Sequence, residues 1–199
     1  TAFFAAYERE QDRGERREVF NHVANVAAKF GAEPQLGADA NRRNFRTFAR
    51  DADILHYHGH VTYHSNVLDQ SVDLSDGKRL FSSNNESVPP SSKQELLQHE
   101  DRFTVQDIFS LHLDAFLVTL IACGSGVQDL APGDEPLGLL AAFLYAGTAT
   151  AVGTLWPVDS ADGREFSTAF FNLLHAQLET TKLLSPVNLA AVFRRAVRQ

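Results

Sequence analysis

Seven consecutive residues, Phe116-Leu-Val-Thr-Leu-Ile-Ala122, are apolar but for one threonine, and the run breaks at once into Cys123-Gly-Ser-Gly126. A strand solvated on one face alternates apolar and polar side chains, whereas a continuous apolar strand needs cover on both faces. Such cover comes from helices packed above and below a parallel sheet, so this run directs the chain to an α/β architecture rather than an antiparallel sandwich or a helical bundle. The glycines that end it mark the strand's carboxyl edge, where loops from neighbouring strands converge and ligand sites form.

The rest of the chain supplies the cover. Val19, Phe20, Val23, Val26, Ala27 and Phe30 recur at helical spacing between about Glu15 and Phe30, with Gly31 as the stop. A second helix starts at the N-cap candidate Asn41 and shows Phe45, Phe48 and Ala49; Ile54-Leu-His-Tyr57 then reads as a buried strand, and Ala2–Tyr7 as an earlier one. Thr104 and Asp107 form a capping-box pair ahead of Ile108 and Phe109. A helix over about Pro136–Ala146, a strand over Ala149–Trp156 and two closing helices follow, the last capped by Asn188. The stretch from about Ser75 to Arg102 is rich in Ser, Asn, Pro and charge and is expected to be a mobile surface insertion. One domain spanning 1–199 fits a length of 199 residues, and 44% hydrophobic content with 15 Phe excludes an intrinsically disordered chain. A net charge of -7 argues against nucleic acid, and no apolar run approaches bilayer length. A single cysteine cannot form an internal disulfide, which points to an intracellular, cytoplasmic chain, and the absence of Met to a piece of a longer polypeptide.

Two strand ends carry chemistry. His56-Tyr-His-Gly-His60 closes one strand and Cys123-Gly-Ser-Gly126 the other, so a thiol and an imidazole stand on one rim as a candidate nucleophile and its base. Glycines around Cys123 allow a tight turn that aims its backbone N–H at a developing oxyanion. The competing explanation for a lone cysteine at a strand end is a small buried hydrophobe. His56, His58 and His60, at spacing two, also share one face of an extended strand, as zinc ligands do, with His64 a loose fourth member. Ser125 completes no Gly-x-Ser-x-Gly elbow, because Cys123 occupies the first position.

Four ordered blocks, Ile54-Leu-His-Tyr-His-Gly-His60, Leu117-Val-Thr-Leu-Ile-Ala-Cys123-Gly-Ser-Gly126, Gly138-Leu-Leu-Ala-Ala-Phe-Leu-Tyr-Ala-Gly147 and Val152-Gly-Thr-Leu-Trp-Pro-Val-Asp159, resemble the CHAT domain, a caspase-like cysteine peptidase family usually found beside tetratricopeptide repeats. The resemblance implies a three-layer α/β/α sandwich with a mainly parallel sheet and a cysteine endopeptidase acting on protein or peptide substrates. It implies Cys123 as nucleophile, His60 as general base and acid, and the N–H groups of Cys123 and Val61 as the oxyanion hole. Neither cofactor nor metal is required, and adjacent repeats would gate the site in an intracellular signalling setting. His58, Val61 and Ile121 depart from the family pattern, which has a small residue, a glycine and a serine at those places. Ile121, two before Cys123, makes one substrate-pocket wall apolar, and Asp159 is the candidate for a charged one; its alternative role is to cap the next helix. The other functions weighed are a catalytically degenerate interaction module and a His-cluster zinc hydrolase.

Overall fold

The structure, a computed structural model, describes residues 1–7, 13–64, 66–75, 101–123, 125–126, 129–130, 136–180 and 187–198. In chain order the elements are β1 (Ala2–Ala6), α1 (Arg16–Lys29), β2 (Gln35–Leu36), α2 (Arg42–Arg50), β3 (Ile54–Gly59), β4 (Val61–Thr62), β5 (Ser71–Asp73) and β6 (Arg102–Thr104). There follow α3 (Val105–Phe109), β7 (Leu117–Ile121), β8 (Asp129–Leu130), β9 (Pro136–Leu137), α4 (Leu139–Tyr145), β10 (Ala151–Gly153), α5 (Ser160–Thr180) and α6 (Leu189–Ala196).

The main sheet has five strands in the order β10-β7-β3-β1-β2, and every pairing in it is parallel. Its centre, β1, β3 and β7, is buried at every position, as the continuous apolar run requires. Side chains alternate between two cores. Phe4, Leu55, Tyr57, Val118 and Leu120 pack with Phe45, Phe103 and Phe143 on the α2, α3 and α4 side. Phe3, Ala5, Ile54 and Leu117 pack with Val19, Val23, Phe170, Phe171 and Leu174 on the α1, α5 and α6 side. Each fully buried phenylalanine contributes roughly 1.5–3 kcal/mol of transfer free energy. The result is a three-layer α/β/α sandwich.

Local signals act where expected. Asn41 Oδ1 accepts the Asn44 N–H at 3.0 Å, Asn188 Oδ1 accepts that of Ala191 at 2.9 Å, and Thr104 with Asp107 forms both halves of the capping box. Three differences from the sequence reading have physical causes. Pro136–Leu137 pairs with Asp129–Leu130, so α4 begins at Leu139 rather than Pro136. β10 ends at Gly153, and Leu155–Val158 is not strand, because the backbone of Thr154 is diverted: its N–H donates to Ser125 Oγ at 3.0 Å and its carbonyl accepts the Gly126 N–H at 2.8 Å. A small antiparallel sheet, β4-β5-β6, follows β3, where the sequence pattern was weak. Its strands of two and three residues are too short to display a period. The boundaries of the expected insertion are ordered: Ser75 is buried and its N–H donates to Ala40 O, and Arg102 belongs to β6. Its interior, 76–100, lies outside the described residues.

Candidate active site

Tyr7, His60 and Cys123 follow the carboxyl ends of β1, β3 and β7, and with Ile121, Val158 and Asp159 they line one small cleft of about 40 Å³. His60 is held from two sides. Its ring stacks on Tyr7, centroids 4.8 Å apart and planes 23° from parallel. Its backbone is bracketed by Tyr57, whose hydroxyl accepts the His60 N–H at 3.0 Å and donates toward the carbonyls of His60 (2.8 Å) and Asp73 (2.5 Å). Gly59 makes the bracket possible. A Cβ there would sit 2.7 Å from Tyr57 Cζ and 2.9 Å from Ala6 O, closer than real side chains come. The glycine before the histidine thus permits a tyrosine to fold back beneath it.

Cys123 is exposed, which excludes the buried-hydrophobe explanation. Its Sγ–H donates to Val158 O at 3.7 Å, and its carbonyl accepts the Tyr63 hydroxyl at 2.8 Å. Burial, then the nearby Cys123, raises the Tyr63 pKa, so the phenol stays protonated and able to donate. The loop after Cys123 is braced from within. Ser125 Oγ, buried, donates to Leu120 O at 2.8 Å and accepts from Thr154 N, and Thr154 Oγ1 donates to Ala122 O. Ser125 therefore serves as a buckle between the ends of β7 and β10, in keeping with the missing serine elbow.

Ile121 is buried and forms a cleft wall backed by α5, where a Cβ on Gly163 would come within 2.9 Å of its Cγ2. Asp159 does two things. Its Oδ1 accepts the Ala161 N–H at 2.8 Å, which caps α5, and the residue also borders the cleft. Val61 lies in β4, so its backbone is extended as any L-residue allows; it packs against the core and is not among the residues that line the cleft.

The histidine quartet does not converge as the spacing proposed. His60 turns to Tyr7, and exposed His64 accepts from Arg102 Nη1 at 3.0 Å. His56 and His58 instead point into the α1–α5 layer and meet His22 of α1. Burial, followed by the charge of Arg164, lowers the pKa of His22 to about 4; burial, followed by the repulsion a charged ring would meet from His22, Arg164 and His60, lowers that of His58 to about 3. Burial likewise holds His56 well below its usual value. A ring whose proton affinity is lowered this far by burial is a weak base for an exposed thiol, although His58 lies on the same face of the strand as His60. Tyr7, Tyr57, Tyr63 and His22 are additions to the sequence reading. A signal for His22 existed: it stands three residues after Val19 and four before Val26, on the helix's apolar stripe.

A parallel sheet covered on both faces, with a thiol and an imidazole at adjacent strand ends, defines a caspase-like α/β sandwich. The model of the CHAT domain family matches residues 8–194, and the chain belongs to that family. Comparison with curated proteins gave no match. Among the described residues no helix is long and apolar enough to cross a membrane.

Proposed function

We propose that this domain is a cysteine endopeptidase with Cys123 as nucleophile and His60 as its base. The observation that carries the proposal is the exposed Cys123 thiol lining the same cleft as His60, at the carboxyl edge of the sheet. His60 removes the Sγ proton, and the thiolate adds to the scissile carbonyl. The oxyanion draws on backbone N–H groups, for which Cys123 and Val61 are our assignments. Return of the proton to the departing amine leaves an acyl-enzyme, which water hydrolyses with His60 again as base. Ile121 and Asp159 are our candidates for the walls that select the substrate residue. Gating by adjacent tetratricopeptide-type repeats, and an intracellular, cytoplasmic setting, belong to the same proposal.

A second reading, a non-catalytic interaction module, has one observation in its favour: the Cys123 Sγ–H donates to the Val158 carbonyl. Labelling with iodoacetamide and a peptidyl electrophile separates the two. Stoichiometric modification of Cys123 that collapses in His60→Ala is expected of the peptidase; slow labelling indifferent to His60→Ala would install the interaction module in its place.

A further inference from the structure

His22, on α1, faces His56 and His58, on β3, across the boundary between helix layer and sheet, with side chains exposed by only 9%, 0% and 2%. One ring nitrogen from each lies within 4.8 Å of the other two. His22 Nε2, His56 Nε2 and His58 Nδ1 are buried without a hydrogen-bond partner. Nitrogens this far apart, beyond hydrogen-bond reach of one another, leave a polar centre unfilled in an otherwise apolar layer.

The outer nitrogens of His22 and His56 are already engaged. Thr168 Oγ1 donates its proton to Arg164 O at 2.8 Å, so toward His22 Nδ1, 3.2 Å away, it acts as acceptor. That assigns the ring proton to Nδ1 and leaves the inward Nε2 with a lone pair. His56 Nδ1 is also held at its outer side, 2.6 Å from Thr119 Oγ1. An imidazole held at its outer nitrogen by a hydrogen bond, with its inner nitrogen bare, is how metal-ligating histidines are oriented.

We propose that His22, His56 and His58 form a zinc-type site for a divalent transition metal that ties α1 to β3 beneath the cleft. An all-imidazole donor set suits zinc and its neighbours rather than calcium or magnesium, which take oxygen. Zinc–nitrogen bonds near 2.0–2.1 Å put ligand nitrogens roughly 3.3 Å apart, so the rings close by no more than about 1.5 Å. The rings stay neutral well below physiological pH, which frees the lone pairs for an ion. The opposing charge, Arg164, is paired with Glu18 at 2.6 Å. Phe3 and Phe171 pack on His56 at 5.9 and 4.9 Å between centroids and keep substrate away, so the ion is structural rather than hydrolytic. Because His58 also borders the cleft that holds His60 and Cys123, occupancy would fix the strand from which His60 projects.

The test uses the purified chain, stripped with a chelator and titrated with Zn²⁺ and Co²⁺, and reads metal binding and thermal stability rather than cleavage. The expected results are about one ion per chain, a tetrahedral Co²⁺ absorption band and a higher Tm with metal. Thr168→Val, a change on an exposed helix position, should weaken binding by roughly 10–100-fold, and His22→Gln should abolish it. His60→Ala and Cys123→Ala should bind as the parent does. A stripped chain that takes up no metal, or whose Tm ignores it, would overturn the proposal in favour of water at the centre. Binding that persists in His22→Gln and Thr168→Val, or disappears in Cys123→Ala, would overturn it too, the last by moving the ion to the thiol.

Discussion

At Cys123, the thiol donates to Val158 O while the carbonyl is held by Tyr63, so the residue is fixed through its backbone and tethered through its side chain only by a weak S–H donor. Two substitutions read this arrangement. Cys123→Ala should reduce peptide cleavage at least on the order of a thousandfold, with a circular dichroism spectrum like the parent's. Tyr63→Phe removes one hydrogen bond at an exposed position, so its effect should be a loss of roughly three- to tenfold in kcat/KM with Tm nearly unchanged. An unaltered rate in Tyr63→Phe would show that the carbonyl needs no anchor. Cys123 and His60 were legible in the sequence because each immediately follows an apolar strand, and chain direction alone places both at one edge. Tyr63 was not, since its partner lies 60 residues away, and no local pattern encodes which tyrosine reaches across. The family resemblance assigns the base to His60 rather than His58, which the spacing could not do; in the fold His58 is buried, while His60 borders the cleft beside Cys123.

The elements were recovered in proportion to their length. Helices of nine or more residues and the buried strands display a period or a continuous run, and their caps are single-residue signals. The short strands β4, β5 and β6 show neither, so they became visible only through their pairing. The helix that follows that small sheet, α3, is fastened to α2 by a fork: Arg42 Nη1 and Nη2 donate to Asp107 Oδ2 and Oδ1 at 2.7 and 2.5 Å, Arg42 Nη1 also donates to Arg102 O of β6 at 2.6 Å, and Asp107 receives the Thr104 N–H. Burial pushes the Asp107 carboxyl up, but hydrogen bonds from Arg42 and Thr104 and the Arg42 charge outweigh it and hold it below its usual value. Asp107→Ala loses cap and fork together and should lower stability by about 2 kcal/mol in urea unfolding. Ser125→Ala breaks the buckle between β7 and β10 and strands the partly buried Thr154 N–H, for a loss of about 1 kcal/mol. Equal stability of Ser125→Ala and the parent would mean that the two strand ends stay together without it.

For the molecule as a whole, the three buried histidines set the acid limit. Their native pKa values lie below the unfolded value of 6.5, at about 4 for His22 and about 3 for His58, so on acidification the unfolded chain binds protons first. Their contribution is complete above pH 6.5 and is lost progressively as pH falls toward those native values. The neighbours that oppose protonation beyond burial are Arg164 at His22, then His22, Arg164 and His60 at His58, and His58 and His22 at His56. In the metal-free chain, stability should decline between pH 7 and 5 with a slope of about 1.4 kcal/mol per pH unit for each proton taken up, and His22→Gln should flatten it. Asp107 acts with the same sign in a more acidic window: its depressed pKa adds stability that disappears only as pH falls below 3.8 through its lower native value. A curve flat from pH 7 to 5 would mean that the histidines are not kept neutral by the fold.

The loop after β10 carries the chain's single tryptophan, Trp156, two-thirds exposed and two residues before the carbonyl that receives the Cys123 thiol. The protein thus has a native fluorophore on the loop that supplies Val158 to the cleft, and no other indole to obscure it. A peptide or electrophile settling against Val158 would dehydrate the indole and shift its emission to the blue, so occupancy can be followed in unlabelled protein, in real time, even in variants that turn nothing over.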